Sequence, residues 1–567
     1  MLPGRSPRLE GGWSNRFPPS PSFLNSTEFV PLAWTIIRSG VDVVQTIDIL
    51  VSPAEQEAID QLKRAAGRHL GLSADRIDGL RVLRRSIDAR RRPVLMTLRL
   101  EVFVDEPAPE QEQPIPEYEE VTSDRRMIVV GSGPAGLFAA LRLIERNVRP
   151  IIVERGKDVQ SRRRDLAGVT KRGTVNPDSN YCFGEGGAGT YSDGKLYTRS
   201  TKRGDVASVY RTLVAHGATP DILVDAHPHI GSNRLPKVVA AIRESILGAG
   251  GEIHFNERVD RLVRRADGRL VGVGTTTGNE FTGEGVVLAT GHSARDIFRM
   301  LHADGIRIEP KPFAVGVRLE HPQPLIDRIQ YHEPKRPEGL PAARYRLAHT
   351  VEDRGVFSFC MCPGGFIVPA ATEQDEVVVN GMSLSRRDSP FANSGIIVNI
   401  EPEADLDLSG PDGPLAGIAF QKRLEVASAQ AGGGMQKAAA QRMTDFVVRK
   451  TSGDLPDSSY HPGTTPYDLH ELLGEGLAGR LATGLSAFGQ KMRGYMTEEA
   501  ILIAVESRTS SPVRIPRDRE SLMHPEVPGL YPSGEGAGYA GGIVSAALDG
   551  LRIAERAAAE RVIDPSA

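Results

Sequence analysis

A short apolar run, MIVV (residues 127–130), passes without a spacer into the glycine turn GSGPAG (131–136) and then into the helical apolar pattern LFAALRLIERN. No other feature constrains the fold as strongly. A buried strand, a tight turn and a helix N-terminus in that order make a dinucleotide fingerprint, G-x-G-x-x-G, and each position has a physical task. Gly131 permits the strand-to-helix turn. Gly133 lets backbone approach a pyrophosphate at the positive end of the helix, with Pro134 and Ala135 in its first turn. Gly136 lets the helix lie close to the sheet. RPIIVERG (149–156) supplies the next strand, and it delivers Glu154 where a carboxylate accepts ribose hydroxyls, with Arg155 beside it.

The fingerprint alone does not separate NAD from FAD. VVLATG (286–291) reads as a buried strand ending in the small pair Thr290 and Gly291, suited to backbone lying against a nucleotide. GLYPSGEGAGYAGGIVSAALDG (529–550) adds a strand, Gly534, the acidic Glu535, and then Gly541, Gly542 and Ile543 opening a helix. A helix N-terminus there faces an electron-rich ligand edge, as the pyrimidine side of a flavin requires. The segment GTYSDGKL (189–196) has P-loop spacing, but Leu196 stands where a P-loop needs a magnesium-binding hydroxyl. No buried strand precedes it and no convincing helix follows, so a nucleotide-triphosphate site is excluded.

These runs resemble the glutathione-reductase-type FAD proteins. GEGGAGTYSDGKL, FCMCPGGFIVPA, NGMSLSRRD and SRTSSPVRI are more specifically similar to a group of FAD-dependent dehydrogenases without an assigned substrate. The resemblance covers roughly residues 44–560. It implies FAD as cofactor and a fold class of α/β, with a Rossmann-like FAD-binding domain, an inserted α+β substrate or cap domain and a small N-terminal α+β domain. It also implies that Gly186, Gly187, Ala188 and Gly189 contact the flavin, with Lys195 near phosphate or substrate. The expected boundaries are a tail at 1–42, the small domain at 43–104 and an acidic proline-rich linker at 105–124. The FAD-binding domain is expected at 125–305 and 500–567, and the inserted domain at 306–499.

Hydride chemistry belongs to the flavin, so the protein must supply a pocket and proton-transfer groups. His292, after the ATG strand, is either a proton donor near the ring or a structural histidine. Cys360 and Cys362 would face one side of a strand, either as structural thiols or as a redox pair beside the flavin. Cys182 reads as structural. Lys491 and Arg508, with Arg295, Arg386, Arg387 and Arg493, suggest cations around an anionic small-molecule substrate. No metal-ligand spacing is present. With one dinucleotide fingerprint, electrons arrive either from NAD(P)H visiting a shallow site as a transient donor or from the substrate or a protein partner.

The first expectation is therefore an FAD-dependent oxidoreductase exchanging hydride with a small organic substrate. A flavin monooxygenase using NAD(P)H and oxygen is the second, and a flavin-bound scaffold recruiting partners through its N-terminal domain is the third. The 69 Lys and Arg nearly balance the 72 Asp and Glu, for a net charge of −3, so nothing draws the chain to nucleic acid. The basic run RVLRRSIDARRRP (81–93) reads as a solvated face. Three cysteines fit a reducing, cytoplasmic setting, with organelle targeting by residues 1–42 the lesser alternative. No membrane span is expected.

Overall fold

Strand Arg126–Val130 is the centre of a five-stranded parallel sheet in the computed structural model, which describes residues 43–90, 92–110, 116–198 and 204–560. The expected N-terminal tail lies outside the described residues. Across the sheet the order is Leu530–Pro532, Val286–Leu288, Arg126–Val130, Arg149–Glu154 and Glu252–Phe255, all in parallel register. The first four of these strands are apolar and buried on both faces, as parallel strands under helices must be, while the edge strand Glu252–Phe255 is half-buried. On one face helix Pro134–Glu145 crosses helix Ile543–Ala559 so closely that a Cβ on Gly550 would sit 2.1 Å from the Ala135 carbonyl oxygen. Helix Leu235–Gly248 delivers the last strand, and antiparallel strands Val259–Arg264, Leu270–Thr275 and Glu280–Thr282 form a side layer.

A second, seven-stranded sheet is built around Phe313–Pro322, which pairs antiparallel over ten residues with Phe391–Ile400. Its order is Ala348–Val351, Arg354–Cys362, Phe391–Ile400, Phe313–Pro322, Ile501–Glu506, Ala438–Arg442 and Thr464–Pro466. Strand Ile501–Glu506 belongs here, so the return to the FAD-binding part expected at residue 500 comes too early. The stretch EVASAQAGGGMQKAAAQRMTDFVVR reads in sequence as one long polar helix, and the structure breaks it. Helix Ala416–Gly432 stops where Gly433 and Gly434 take φ of +81° and +97°, and the buried Ala438–Arg442 becomes a strand. Three consecutive glycines offer the left-handed conformations that end a helix. Helix Glu475–Lys491, unforeseen in the sequence, covers the sheet with Leu477, Leu481, Leu485 and Phe488.

Near the start of the described chain, strands Val43–Val51, Leu95–Val104 and Ile77–Asp88 form a three-stranded sheet with helix Ile59–Leu70. The sequence SPAEQEAIDQLKRAAGRHLG offers Ser52 as a helix cap and Pro53 as its first position. Instead, Pro53–Glu55 makes one 3-10 turn, held by the Ser52 N–H donating to Glu55, and the α-helix begins six residues after Pro53, at Ile59. Apolar side chains of this unit, among them Leu98, Leu100 and Val102, join one continuous core with the seven-stranded sheet. The expected linker is anchored at its far end: Val121 is buried and its N–H donates to the Ala249 carbonyl at 3.0 Å.

No helix among the described residues is long and apolar enough to cross a membrane. Leu485, fully buried beneath helix Glu475–Lys491, tests the docking of that helix. Leu485→Ala is expected to cost about 2–5 kcal/mol. It should lower the thermal midpoint read by far-ultraviolet circular dichroism.

Candidate cofactor and active site

The carboxyl ends of the parallel strands converge on one cavity of about 480 Å³, where open α/β sheets place their ligands. Four strand ends contribute to it: Gly131, Gly133, Pro134 and Ala135 from the first, Glu154 and Arg155 from the second, Thr290, Gly291 and His292 from the third, and Glu535 with Gly541, Gly542 and Ile543 from the fourth. Gly187, Ala188, Gly189 and Lys195 line it from the irregular segment between the helices, and Cys360 and Arg508 from the second sheet. The structure thus brings together most of the residues singled out from the sequence.

Several stand elsewhere. Gly136 lies beneath the turn, where an added Cβ would be 1.9 Å from the Gly131 carbonyl oxygen, so its role is packing. Gly186 packs against Thr190 and Val239, and its N–H donates to the Ser132 carbonyl at 2.9 Å. Gly534 donates to Asp549 at 2.8 Å and abuts Ala135. Cys362 is fully buried behind Cys360. Lys491 is on the far side of the second sheet, donating to the Ala348 carbonyl and lining a different groove with Arg493, so it is not part of this site.

Glu154 was expected to await a ribose. Instead its Oε2 accepts from the Ser132 N–H and hydroxyl at 2.9 and 2.8 Å, and its Oε1 from the Gly156 and Gly184 N–H groups at 2.9 and 3.1 Å. It ties the fingerprint turn to the glycine loop while keeping an edge on the cavity. Arg155 stacks on Phe183, 4.0 Å from the ring centroid, and pairs with Asp178 and Asp296 at 2.9 Å each. Arg162, not foreseen, is completely buried and donates to five backbone carbonyls, those of Asn180, Tyr181, Gly184, Glu185 and Gly187.

At the other end the expected cations are already compensated. Arg508 donates to Glu376 at 2.6 Å and Glu425 at 2.8 Å, and Arg295 binds Glu425 through both oxygens at 2.7 and 2.8 Å. Arg387 pairs with Asp193, and Arg386 is exposed. Lys195, expected near phosphate or substrate, is turned to Asp193 at 3.5 Å and to the sulfurs of Cys362 and Cys360 at 3.4 and 3.8 Å. Burial disfavours its charge, but Asp193 and the sulfurs outweigh this and raise its pKa. His292 lies 3.6 Å from Glu535. Burial, then the neighbouring Arg508 and Arg295, push its pKa down to about 4, which favours the neutral imidazole at neutral pH. Sequence reading missed Asp193, Glu376 and Glu425 because their partners lie far along the chain; Asp193 inside GTYSDGKL was the nearest to a signal.

The cavity suits FAD on its own geometry. An added Cβ on Gly291, Gly541 or Gly542 would meet nothing within 4 Å, so bare backbone lines the wall, and two helix N-termini open onto it. A fold and cavity of this kind define an FAD-dependent oxidoreductase. Family models agree: residues 126–168 match an FAD binding domain, 227–385 an FAD dependent oxidoreductase and 312–509 an FAD-dependent protein, C-terminal domain-like. Residues 43–103 match a domain of unknown function. An uncharacterized protein of Clostridium beijerinckii is 40% identical over 516 residues, 88% of this chain and 95% of that one. The chain belongs to the same family as that clostridial protein, within the FAD-dependent oxidoreductases. Among solved structures, 2,6-dihydroxypyridine-3-hydroxylase from Arthrobacter nicotinovorans aligns at 12% identity and TM-score 0.33 over 77% of this chain and 82% of that one. Tetracycline destructase Tet(55) aligns at 11% and 0.32, over 76% and 79%.

Two glycine substitutions separate cofactor approach from packing. Gly133 has φ of −72°, open to any residue, and the nearest atom to an added Cβ is 3.9 Å away. Gly133→Val should therefore fold with an unchanged thermal midpoint yet bind FAD at least about tenfold more weakly, a loss of about 1.4 kcal/mol. Gly136→Ala should lose both. Flavin absorbance after gel filtration, beside a melting curve, reads the pair.

Proposed function

We propose that the protein is a dehydrogenase or reductase that exchanges a hydride equivalent between bound FAD and a small, uncharged organic substrate. The observation that carries this reading is the pairing of a half-buried histidine, held neutral, with a charge-compensated wall in the cofactor cavity. When bound, FAD supplies the two-electron acceptor. The chain's own groups supply the rest. The glycine turn and the two helix N-termini hold the dinucleotide. His292, unprotonated through the neutral range, takes a proton from a substrate hydroxyl or amine as the hydride leaves the adjacent carbon. Glu535 stands 3.6 Å from His292, where it favours the charged imidazolium that results.

The compensated arginines argue against the anionic substrate expected from the sequence. Arg508 and Arg295 are saturated by Glu376 and Glu425, so a carboxylate would have to compete with a buried bidentate pair.

An anaerobic spectrum with added alcohols and amines, then with NADH and NADPH, tests the reading. Bleaching of the flavin band near about 450 nm by an organic substrate is expected. A hydroxylated product with NAD(P)H-dependent oxygen uptake would instead establish a monooxygenase. The rate of bleaching should stay flat through neutral pH and fall only as the pH approaches about 4, where His292 takes up its proton. His292→Gln should remove that limb and slow reduction by about 10²–10⁴-fold.

A further inference from the structure

The Phe359–Cys362 segment departs from regular strand structure where it meets the cofactor cavity. A register shift falls between Phe359 and Cys362 in the pairing with Phe391–Ile400, and Cys360 takes a φ of +45°, a left-handed conformation that a non-glycine residue adopts rarely. Bulges of this kind re-aim side chains beside active sites. Here the result is that Cys360 lines the cavity, while Cys362 lies directly behind it and fully buried.

Both sulfurs share one cation. Lys195 Nζ stands 3.8 Å from Cys360 Sγ and 3.4 Å from Cys362 Sγ, and the Cys362 thiol also donates to the Cys360 carbonyl at 3.2 Å. From strand Phe313–Pro322, beyond Phe391–Ile400 in the sheet, Arg318 donates to the Cys360 carbonyl at 2.8 Å and approaches Cys362 Sγ at 3.5 Å. The charged groups around the pair are Lys195 and Arg318 on one side and Asp193, Glu506 and Glu535 on the other. Arg318 is compensated by Glu506 at 2.7 Å. Asp193 is shared between Lys195 and Arg387. The neighbouring Cys362 side chain, with the Lys195 and Arg318 charges, holds the Cys360 thiol well below the usual range against the effect of burial, while Cys362 is held above it. Cys182 is apart from this arrangement, donating to the Ala370 carbonyl.

We propose that Cys360 and Cys362 are a redox-active dithiol that exchanges two electrons with the bound FAD, a step that rests on the oxidoreductase reading above. Cys360 is the thiolate and Cys362 the thiol. In the oxidative direction the Cys362 S–H bond breaks and a Cys360–Cys362 S–S bond forms. The two electrons and the Cys362 proton pass to FAD, so charge and atoms balance. Lys195 stabilises the thiolate beforehand and keeps its own proton. Fully extended residues two apart are separated by about 6.7 Å, near the upper end of the span a disulfide bridges.

The test uses the full chain loaded with FAD. Protein exposed to air is unfolded in acid, alkylated and weighed intact, beside apoprotein treated the same way. The chain holds three cysteines. One alkylated thiol in the holoprotein and three in the apoprotein is the expected result, with the disulfide mapped to Cys360 and Cys362 by peptide mass. A protein that shows the flavin band yet keeps three alkylatable thiols overturns this proposal alone. One that binds no FAD after reconstitution overturns the cofactor reading and this step with it. The thiolate is read separately in Cys362→Ser, whose Cys360 should react with iodoacetamide at neutral pH. Adding Lys195→Met should slow that reaction on the order of tenfold. Equal rates would remove Lys195 from the pair.

Discussion

Two buried charges of opposite sign hold the cofactor loop in place, and the site depends on them. Glu154 collects N–H and O–H donors from Ser132, Gly156 and Gly184, while Arg162 collects carbonyls from Asn180 to Gly187. Neither is bonded to the other; each is neutralised by oriented backbone. A buried charge without such partners costs several kcal/mol, so loop and charges stabilise each other. Because the same loop carries Gly187 to Lys195, this lock also sets where Lys195 meets the thiols.

What was legible in the sequence is what local chemistry decides. The strand, turn and helix at 127–145 are read from neighbouring residues, because Gly131, Gly133 and Gly136 each answer a constraint a few residues away. The same is true of the turn at Gly268 and of the helix after Gly542. Long-range pairing was not legible. Ala438–Arg442 looks helical by composition, yet it is buried between Ile501–Glu506 and Thr464–Pro466, and tertiary packing overrides its propensity. Cations near a motif were visible, but their partners were not: Arg508 meets Glu376 across 132 residues. Lys491 failed for the same reason, since adjacency to a motif says nothing about the side of a sheet.

The basic run of the small N-terminal unit follows this rule. Arg81 pairs with Glu101, and Arg85 reaches Asp221 and Asp225 in the main body, with a direct Arg85 to Asp225 contact of 2.7 Å. Together with the continuous apolar core, the Arg85 pairs attach the small unit to the main body. Surface pairs contribute little individually, but Arg85 is largely covered and bridges two carboxylates at once. A partner-recruiting face therefore draws less support from this stretch than its composition suggested.

The cavity wall turns one cause to two effects. Arg508, Arg295, Lys195 and Arg318 put four positive charges behind it, each matched by a buried carboxylate. Next to the arginines, His292 loses its proton, because a second cation in a dry site is unfavourable. Beside Cys362, Lys195 and Arg318, the Cys360 thiol is held well below its ordinary range, because there the charged form is the anion. One wall of cations thus favours the neutral imidazole and the sulfur anion alike. In the reactions proposed above the histidine accepts a proton and the dithiol gives up electrons, and neither requires a free cation in the cavity.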